Sequence, residues 1–496
     1  MEIRKIAILQ PPSPPFMNVK RDLAGGFAVA DPSTRSTYGH DEKYITLPNM
    51  SLVYTTAVLE KEGFGIAYID GQVERLDPDR LLERLKKENS QVLISLLNLP
   101  SIYGDLELLK IVKKAMPQLV IMAMGTVAIP LYSLIAGSKA VDVIIRGDAE
   151  EALPKLMKNR RLLEAVCSGR SLDDREALDG FEVREGAWTN REIARIKDLD
   201  NYPELPFHLM PVSKYWYHVF GKNVRYASVF SSRGCSFRCY YCPYPIGFGD
   251  TIVYRDPVKV VDEIERLQKG YGITAVLFRD QVFTMDGART ERLCDEILRR
   301  GLKIEWVVET RLDKVNKKLL RKMKQAGCKR MHYGIESGDP KVFKAVGKDG
   351  AEGRMEELIR NFTLTEKVGI APHMFVLIGL MGETWESIHK TIALVKRMKP
   401  PTLQVSVVTP YPGTPLFDEV RKKGLLLTED WSEYTGFKPV MRTEALSGED
   451  LLAARKLIIA EHRKAVFWKL QLHKMKLLVR YSLDGSIFRR LKKRRI

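Results

Sequence analysis

The chain has 496 residues, of which 45% are hydrophobic and 29% charged, a composition typical of folded globular proteins rather than disordered or fibrous ones. Its length exceeds one ordinary hydrophobic core, so we expect two or three domains. No apolar run approaches the roughly 18 residues that a membrane-spanning helix needs, and no signal peptide precedes the first predicted strand, so we expect a cytoplasmic protein.

The formal net charge of +18 would suit an anionic partner such as a nucleic acid or a membrane surface. The charge is unevenly distributed, however, because residues 463–496 contain twelve Lys and Arg against one Asp, a net charge of +11. The rest of the chain is only mildly basic. A nucleic acid is therefore not expected as the partner of the folded body.

Residues 1–150 predict a doubly wound, Rossmann-like α/β domain. Predicted strands alternate with helical patterns, and several strands are continuous Val, Ile and Leu runs, which indicates burial on both faces of a parallel sheet. The loop from Gln10 to Asn49 is long for a connector without secondary structure, which favours a functional role. The five predicted strands lie near residues 3–9, 65–70, 91–97, 119–124 and 141–146.

A linker is predicted at residues 151–224, and the alternation of strands and helices resumes in residues 225–440. Six strand and helix units predict a (β/α)6 partial TIM barrel, whose site would lie at the carboxyl ends of the strands. Ser447-x-x-Asp450 is typical of a helix-capping box, and predicts a long helix in the C-terminal helical and basic region, residues 441–496. The six barrel strands are expected near residues 225–230, 275–279, 304–309, 329–335, 371–378 and 404–409.

Three of the six cysteines lie within eight residues, in the spacing Cys235-x3-Cys239-x2-Cys242. Thiolates this close can bind a soft metal centre, and three of them fit a cubane iron–sulfur cluster with one iron left open. The alternative is a zinc site in a non-enzymatic scaffold, which normally needs four ligands, and no Cys or His follows within twenty residues. Cys294 and Cys328 have no close partner in the sequence and are predicted to be buried structural thiols.

The cysteine motif, with Tyr241 before its last cysteine, resembles the cluster motif of the radical S-adenosylmethionine (SAM) superfamily. Three strand-end sequences, at residues 334–338, 379–384 and 412–415, are also similar to that family. The resemblance implies that the three cysteines hold a [4Fe–4S] cluster and that SAM chelates its open iron. It also implies a reductant, ferredoxin or flavodoxin, whose electron cleaves SAM to a 5′-deoxyadenosyl radical that abstracts hydrogen from the substrate.

The residues expected at the cofactors lie in this loop and at the ends of barrel strands. A strand-end carboxylate such as Glu336 would pair with the methionyl ammonium group or the ribose hydroxyls of SAM. For each polar residue, a role as a cap or loop residue is the alternative, and no catalytic residue is assigned. The predicted cofactor contacts are Tyr241, Asp280, Glu336, Ser337, Gly379 and Glu383.

The N-terminal half resembles the cobalamin-binding domain that precedes the catalytic domain in one class of radical SAM enzymes. The resemblance is carried by residues 48–52, 60–64 and 146–151. The loop after the first strand, Pro11–Pro15, has no histidine that could serve as the lower ligand of cobalt. Cobalamin therefore remains an open third cofactor. The alternative is that the domain keeps the fold while its cleft is empty or serves another purpose.

The resemblance implies an enzyme that modifies an unactivated carbon by ring formation, rearrangement or C-methylation. The C-terminal segment mixes basic residues with apolar ones such as Phe467 and Trp468, a pattern typical of helices that lie on membranes. We therefore predict a lipid or other hydrophobic substrate and possible peripheral membrane contact, with an RNA-contacting or merely solvated tail as alternatives. A tRNA methylthiotransferase is a further alternative, but those enzymes carry three cysteines in the N-terminal domain, and here none precedes Cys167.

Overall fold

The computed structural model describes residues 3–15, 17–31, 45–159, 164, 181–183, 188–189, 193–221, 224–347 and 354–483. Two sheets dominate the fold, one of seven strands and one of six. Cys167, residues 484–496 and the side chain of Trp468 lie outside the described residues, so the prediction of a membrane-binding tail is assessed only on the part before them. In the described part of the chain, every helix is too short or too polar to cross a membrane.

The first sheet confirms the predicted doubly wound domain. Its strand order is β4-β1-β5-β6-β7-β8-β9, and the first five strands are parallel. Because β4 and β5 lie on opposite sides of β1, the strand order reverses there, and a crevice opens at the carboxyl ends of β1 and β5. The strands are β1 Lys5–Gln10, β4 Gly65–Asp70, β5 Val92–Leu96, β6 Val120–Met124, β7 Val143–Ile145, β8 Phe181–Val183 and β9 Trp188–Thr189, with a separate antiparallel pair, β2 Asn18–Lys20 and β3 Val29–Asp31.

Helices cover both faces of this sheet, as buried parallel strands require. The first of them, α1, begins where the Asn49 side chain accepts a hydrogen bond from the backbone N–H of Leu52 (3.1 Å), an N-cap that satisfies one of the free donors of the first turn. The interval 151–224, predicted as a linker, contributes β8 and β9 to the sheet as antiparallel strands. The helices are α1 Met50–Lys61, α2 Pro78–Glu88, α3 Ile102–Ala115, α4 Tyr132–Gly137 and α5 Ala149–Lys158.

The second sheet is parallel throughout, and its strands follow one another in chain order. The first and last strands, β10 and β17, are its two edges, so the six predicted strand and helix units form an open, partial barrel. A short antiparallel pair, β11 Ser232–Arg233 and β12 Val253–Tyr254, flanks the cysteine loop. The barrel strands are β10 Tyr226–Val229, β13 Ala275–Phe278, β14 Glu305–Thr310, β15 Cys328–Glu336, β16 Ala371–Ile378 and β17 Thr402–Val407.

The barrel helices pack on the outer face of these strands, and a long helix closes the domain. That helix, α14, begins at Gly448 after the predicted capping box, in which the Ser447 side chain accepts a hydrogen bond from the N–H of Asp450 and the Asp450 carboxylate accepts one from the N–H of Ser447. The helices are α6 Tyr244–Phe248, α7 Pro257–Tyr271, α8 Gly287–Arg299, α9 Lys317–Gln325, α10 Pro340–Ala345, α11 Arg354–Lys367, α12 Trp385–Met398, α13 Pro415–Lys422 and α14 Gly448–Leu483.

The two domains meet through buried charges at the carboxyl ends of their strands. Arg233, which follows β10, pairs with Asp148 (2.7 Å) and with Glu150, both of which follow β7. Arg279, which follows β13, pairs with Asp22 of the loop after β1 (2.7 Å). The site of each sheet therefore faces the other domain.

Candidate active site

The cysteine loop leaves the end of β10 and returns through β12. The N–H of Cys235 donates to the carbonyl of Gly249 (3.3 Å), and the N–H of Cys242 donates to the carbonyl of Cys239 (2.9 Å). A side chain at Gly234 could not be accommodated, because its φ is +94° and an added Cβ would lie 2.0 Å from the carbonyl oxygen of Thr251. The loop geometry thus turns the three cysteines toward one space.

All three cysteines are reduced thiols, and they line one chamber of about 340 Å³ between the barrel and the N-terminal domain. Burial raises the pKa of Cys235, and it raises the pKa of Cys242 to about 12, with the neighbouring thiols adding to the shift. Within the described ranges, no three His, Cys, Asp or Glu side chains are arranged around the position of a single metal ion. A cubane cluster asks for a different arrangement, since each of three irons takes its own thiolate, and three thiols around one chamber fit that requirement.

Part of the remaining chamber wall comes from alternate residues of three neighbouring barrel strands. Side chains point to opposite faces at successive strand positions, so one residue in two reaches the lumen. These residues are Gly334 and Glu336 of β15, Phe375 and Leu377 of β16, and Gln404 and Ser406 of β17. The N-terminal domain supplies Leu23, Ala24, Gly25 and Val29.

Glu336 stands where β15 ends, beside the cysteine loop. It is 7% exposed, lines the chamber and has φ of +67°, a left-handed conformation that is rare for a residue with a side chain and is often found at functional sites. Burial and the adjacent Glu336 carboxyl group hold the pKa of Tyr241 well above its usual range. Two predicted cofactor contacts, Tyr241 and Glu336, are therefore brought together against the thiols.

The structure places the other predicted cofactor contacts behind the chamber wall. Asp280 is buried, and its carboxylate accepts hydrogen bonds from the N–H of Ser231 (2.8 Å) and from the hydroxyls of Ser231 and Ser232. Ser337 is fully buried and accepts the N–H of Asp339 (3.2 Å). Asp280 therefore holds the start of the cysteine loop, and Ser337 holds the turn after β15.

Gly379 and Glu383 form a closed turn after β16. The Glu383 carboxylate accepts the N–H of Gly379 (2.6 Å), and burial raises the pKa of Glu383 to about 8. The N–H of Met381, in the same turn, donates to the hydroxyl of Tyr240 (3.0 Å). The turn thus contacts the cysteine loop at Tyr240.

Several chamber residues were not predicted as site residues. Arg279, Glu309 and Arg311 line the chamber, and Arg311 stacks on Phe237 of the cysteine loop, with 4.0 Å from its guanidinium carbon to the ring centroid. Their position in the sequence could have identified them as site residues, because each lies at or next to the carboxyl end of a barrel strand.

Two histidines of neighbouring barrel strands, His332 and His373, form a tilted ring pair. His332 lines the chamber and lies 4.9 Å from His373 between ring centroids, with Glu309 at 3.9 Å from its Nδ1. Burial, with nearby positive charge, lowers the pKa of His373 to about 2, so this ring is neutral. His373 has a partner within the fold, with its Nδ1 2.8 Å from the hydroxyl of Thr402, whereas His332 opens onto the chamber.

The crevice of the N-terminal sheet is the place for a cobalamin in a doubly wound domain. In this structure it is filled by residues 21–30, which we call the clamp segment. The gap left at the carboxyl ends of β5, β6 and β7 measures about 20 Å³, enough for about one water molecule. A corrinoid does not fit beside the clamp segment in this conformation.

Comparison with known proteins agrees with this geometry. Residues 229–395, which span the cysteine loop and most of the barrel, match the family model described as the radical SAM superfamily. The chain carries a radical SAM domain. Its cofactors are those the superfamily uses, a [4Fe–4S] cluster and SAM.

Three relatives of this radical SAM enzyme cover most of its length. An uncharacterised methyltransferase of Pyrococcus horikoshii is 27% identical over 82% of this chain and 85% of its own. The anaerobic magnesium-protoporphyrin IX monomethyl ester cyclase of Cereibacter sphaeroides is 28% identical over 89% of this chain and 70% of its own. The structure of the radical SAM methyltransferase TsrM from Kitasatospora setae, with cobalamin and a [4Fe–4S] cluster bound, superposes with a TM-score of 0.68 at 17% identity, over 92% of this chain and 91% of that one. This last likeness shows the shared two-domain fold.

Proposed function

We propose that this enzyme uses its SAM-derived radical to modify an unactivated carbon of a hydrophobic small molecule or lipid. The observation that carries the proposal is the chamber itself, in which the three thiols face a lumen whose wall is mostly apolar. A bound [4Fe–4S] cluster would supply the electron that cleaves SAM to methionine and the hydrogen-abstracting 5′-deoxyadenosyl radical. Cys235, Cys239 and Cys242 would hold that cluster.

The chain's own residues would position SAM next to the thiols. Glu336 offers a carboxylate to the methionyl ammonium group or the ribose hydroxyls, and its backbone conformation aims it at the chamber. Tyr241 packs beside it, and its raised pKa keeps the phenol protonated as a hydrogen-bond donor. The mostly apolar remainder of the wall would limit the water around a radical and so reduce side reactions.

The chamber wall supports a substrate that is mostly apolar with one polar end. Phe375, Leu377 and Tyr411 form the apolar part. Arg279 and Glu309 form a polar part, 3.9 Å apart between Nη1 and Oε1. A cyclic or chain-like hydrocarbon carrying a carboxylate, ester or hydroxyl group would match both parts.

Two reaction outcomes fit this arrangement, and both start with hydrogen abstraction. Ring formation or rearrangement needs no corrinoid. In a rearrangement the product radical would take a hydrogen atom back from 5′-deoxyadenosine, and in a ring formation it would give up a proton and return one electron to the oxidised cluster. The name of the Cereibacter sphaeroides cyclase supports this outcome for a hydrophobic ring system. Methylation of carbon through a corrinoid is supported by the names of the methyltransferase relatives. We favour the first outcome for the conformation described, because the clamp segment fills the cleft.

A membrane surface is the proposed source of the substrate. Along α14, Leu457 and Phe467 are 36% and 48% exposed, and Arg463 and Lys464 are exposed between them. Exposed apolar and basic residues on one helix suit an anionic lipid surface. We place the enzyme in the reducing cytoplasm, at such a surface, with ferredoxin or flavodoxin as its reductant.

The test begins with anaerobically reconstituted enzyme and two extracts of cells, one lipid and one aqueous. We expect the lipid extract, and not the aqueous one, to raise 5′-deoxyadenosine formation above the rate without substrate. Growth of the extracted cells on deuterated medium should then place deuterium in 5′-deoxyadenosine. Stimulation by the aqueous extract alone would contradict the hydrophobic substrate.

Cysteine variants test the cluster separately from the substrate. Cys235→Ala, Cys239→Ala and Cys242→Ala should each lose bound iron and SAM cleavage. Cys294→Ala is the matched control, because Cys294 is a buried free thiol in α8, away from the chamber. If a variant lacking all three loop cysteines still formed 5′-deoxyadenosine under reduction, the proposed cluster ligands would be wrong.

A further inference from the structure

The clamp segment fills the crevice at the carboxyl ends of β1 and β5 with a buried charge. The guanidinium of Arg21 donates to Asn98 (2.9 Å) and to both oxygens of Asp105 (3.0 and 2.8 Å), and also to the carbonyl of Pro12 (2.8 Å). The Arg21 side chain is fully buried. Both terminal nitrogens of the Arg21 guanidinium are thus bonded within the chain itself, and only its Nε has no hydrogen-bond partner among the described residues.

The middle of the clamp segment lies directly on the ends of β5 and β6. The Thr126 hydroxyl donates to the carbonyl of Gly25 (2.8 Å), and the Asn98 amide donates to the carbonyl of Gly26 (2.8 Å). The approach is so close that a Cβ added at Gly26 would lie 2.3 Å from the Thr126 hydroxyl oxygen. These contacts leave the gap of about 20 Å³ between the sheet and the cysteine loop.

The other side of the clamp segment is attached to the barrel domain. Asp22 accepts from Arg279 Nε (2.7 Å) and from the N–H of Met50 at the start of α1 (3.2 Å). Phe27 packs on Tyr411 with ring centroids 5.2 Å apart. The segment is therefore held from both domains, across the cleft that separates them.

The backbone of the clamp segment is strained. Four of five consecutive residues have positive φ: Ala24 (+49°), Gly25 (+64°), Gly26 (+85°) and Ala28 (+73°). For the two alanines this conformation is disfavoured, and it persists because the surrounding contacts impose it. Release of the contacts would let the segment relax away from the sheet.

We propose that the clamp segment and a corrinoid compete for this cleft, so that a corrinoid enters only when the clamp segment leaves. The reasoning is one of volume, because about 20 Å³ holds about one water molecule, whereas pockets for ligands much smaller than a corrinoid measure roughly 300–1,000 Å³. The corrinoid is identified by the cobalamin named in the structure of the similar fold. Competition links the release of the clamp segment to the binding of a corrinoid. A change that lowers the equilibrium constant for clamp closure by some factor therefore raises the corrinoid affinity by the same factor.

Gly26→Ala is the decisive variant, because its Cβ would collide with Thr126 and push the clamp segment out without removing any side chain from the cleft. Gly63→Ala is the matched control, since Gly63 also has positive φ (+91°) but has no atom within 4 Å of an added Cβ. Thr126→Val is a gentler second variant that removes only the hydrogen bond to Gly25. Each full-length, cluster-loaded protein is titrated with hydroxocobalamin under anaerobic conditions, and bound cobalt is measured after gel filtration.

We expect Gly26→Ala to bind hydroxocobalamin about tenfold or more tightly than the wild type and Thr126→Val about fivefold more tightly, with Gly63→Ala unchanged. Hydrogen exchange of a peptide covering residues 21–31 should speed up in every sample that carries cobalamin. Equal affinities of the wild type, Gly26→Ala and Thr126→Val would overturn the competition. Stoichiometric cobalamin in the wild type, with slow exchange retained in residues 21–31, would overturn it equally. SAM cleavage by the same wild-type sample reports on the radical chemistry independently.

Discussion

Arg233 is the residue whose removal should most clearly separate the two domains at the cysteine loop. Its side chain is 3% exposed, and it pairs with Asp148 (2.7 Å) and with Glu150, whose side chains are 2% and 0% exposed. Burial alone would lower the pKa of Arg233, but the two carboxylates raise it above its ordinary value, so the guanidinium stays charged. Arg233→Met would remove the nearest counter-charge of both buried carboxylates and leave Asp148 only the more distant Arg195, at 3.7 Å.

Breaking a buried ion pair by removing one partner costs about 3–5 kcal/mol, so Arg233→Met should lower the free energy of unfolding by about 4 kcal/mol. Arg233→Lys should cost less, because it keeps the charge but not the fork that spans two carboxylates. The triple variant Arg233→Met, Asp148→Asn, Glu150→Gln should recover at least about 2 kcal/mol, since it removes the uncompensated charges.

The assay is anaerobic urea denaturation followed by tryptophan fluorescence, with bound iron measured on the same samples. Arg299→Met is the control, because Arg299 pairs with Glu296 on the exposed surface of α8, and its denaturation midpoint should be unchanged. Iron content should fall with Arg233→Met, since β11 leads directly into the cysteine loop. A loss below about 1 kcal/mol for Arg233→Met, or a triple variant no more stable than the single one, would refute this account of the interface.

Three further predictions concern the SAM contact, a buried carboxyl group and the tail. Glu336→Ala should weaken SAM binding, measured by calorimetry, more than it lowers iron content, and unchanged SAM affinity would remove Glu336 from the site. The pKa of Glu383 is raised to about 8 in the folded state, so the folded state binds the extra proton, and stability should fall as pH rises from about 5 to 9, by at most about 4 kcal/mol. Glu383→Gln should flatten this dependence in urea denaturation at several pH values, and a wild type that gains stability over this range would contradict the burial of a protonated acid. Truncation after Glu461 should abolish salt-sensitive co-sedimentation with anionic liposomes, and equal sedimentation of both forms would remove the membrane from the proposal.

Periodicity in the sequence predicts most of the fold, because both sheets are parallel and buried. Continuous apolar runs such as residues 92–96 and 120–124 can hardly be anything but central strands between helices. The six barrel strands were placed correctly for the same reason. By contrast, β8 and β9 are short and lie within a stretch without hydrophobic periodicity, so the local sequence does not indicate that they extend the first sheet.

The sequence predicts those site residues whose position depends on their spacing within one loop. It does not predict those whose position depends on the pairing register of the strands. Cys235, Cys239 and Cys242 share one loop, so their spacing alone brings them together. Asp280 also stands at a strand end, yet the serines of the cysteine loop fold over its carboxylate. A residue at a strand end reaches the chamber only if its strand position points inward, and this depends on partner strands far away in the sequence.

The N-terminal domain contributes to the chamber even with its own crevice closed. Leu23, Ala24 and Val29 of the clamp segment form part of the chamber wall, and Asp22 pairs with Arg279 beside it. Removal of these residues would open the thiols and the lumen to water, whether or not a corrinoid is ever bound. An N-terminal domain of this kind can therefore be retained because it forms part of the chamber wall. The strained clamp segment cannot close the chamber and admit a corrinoid at the same time, so the two roles of the domain exclude each other.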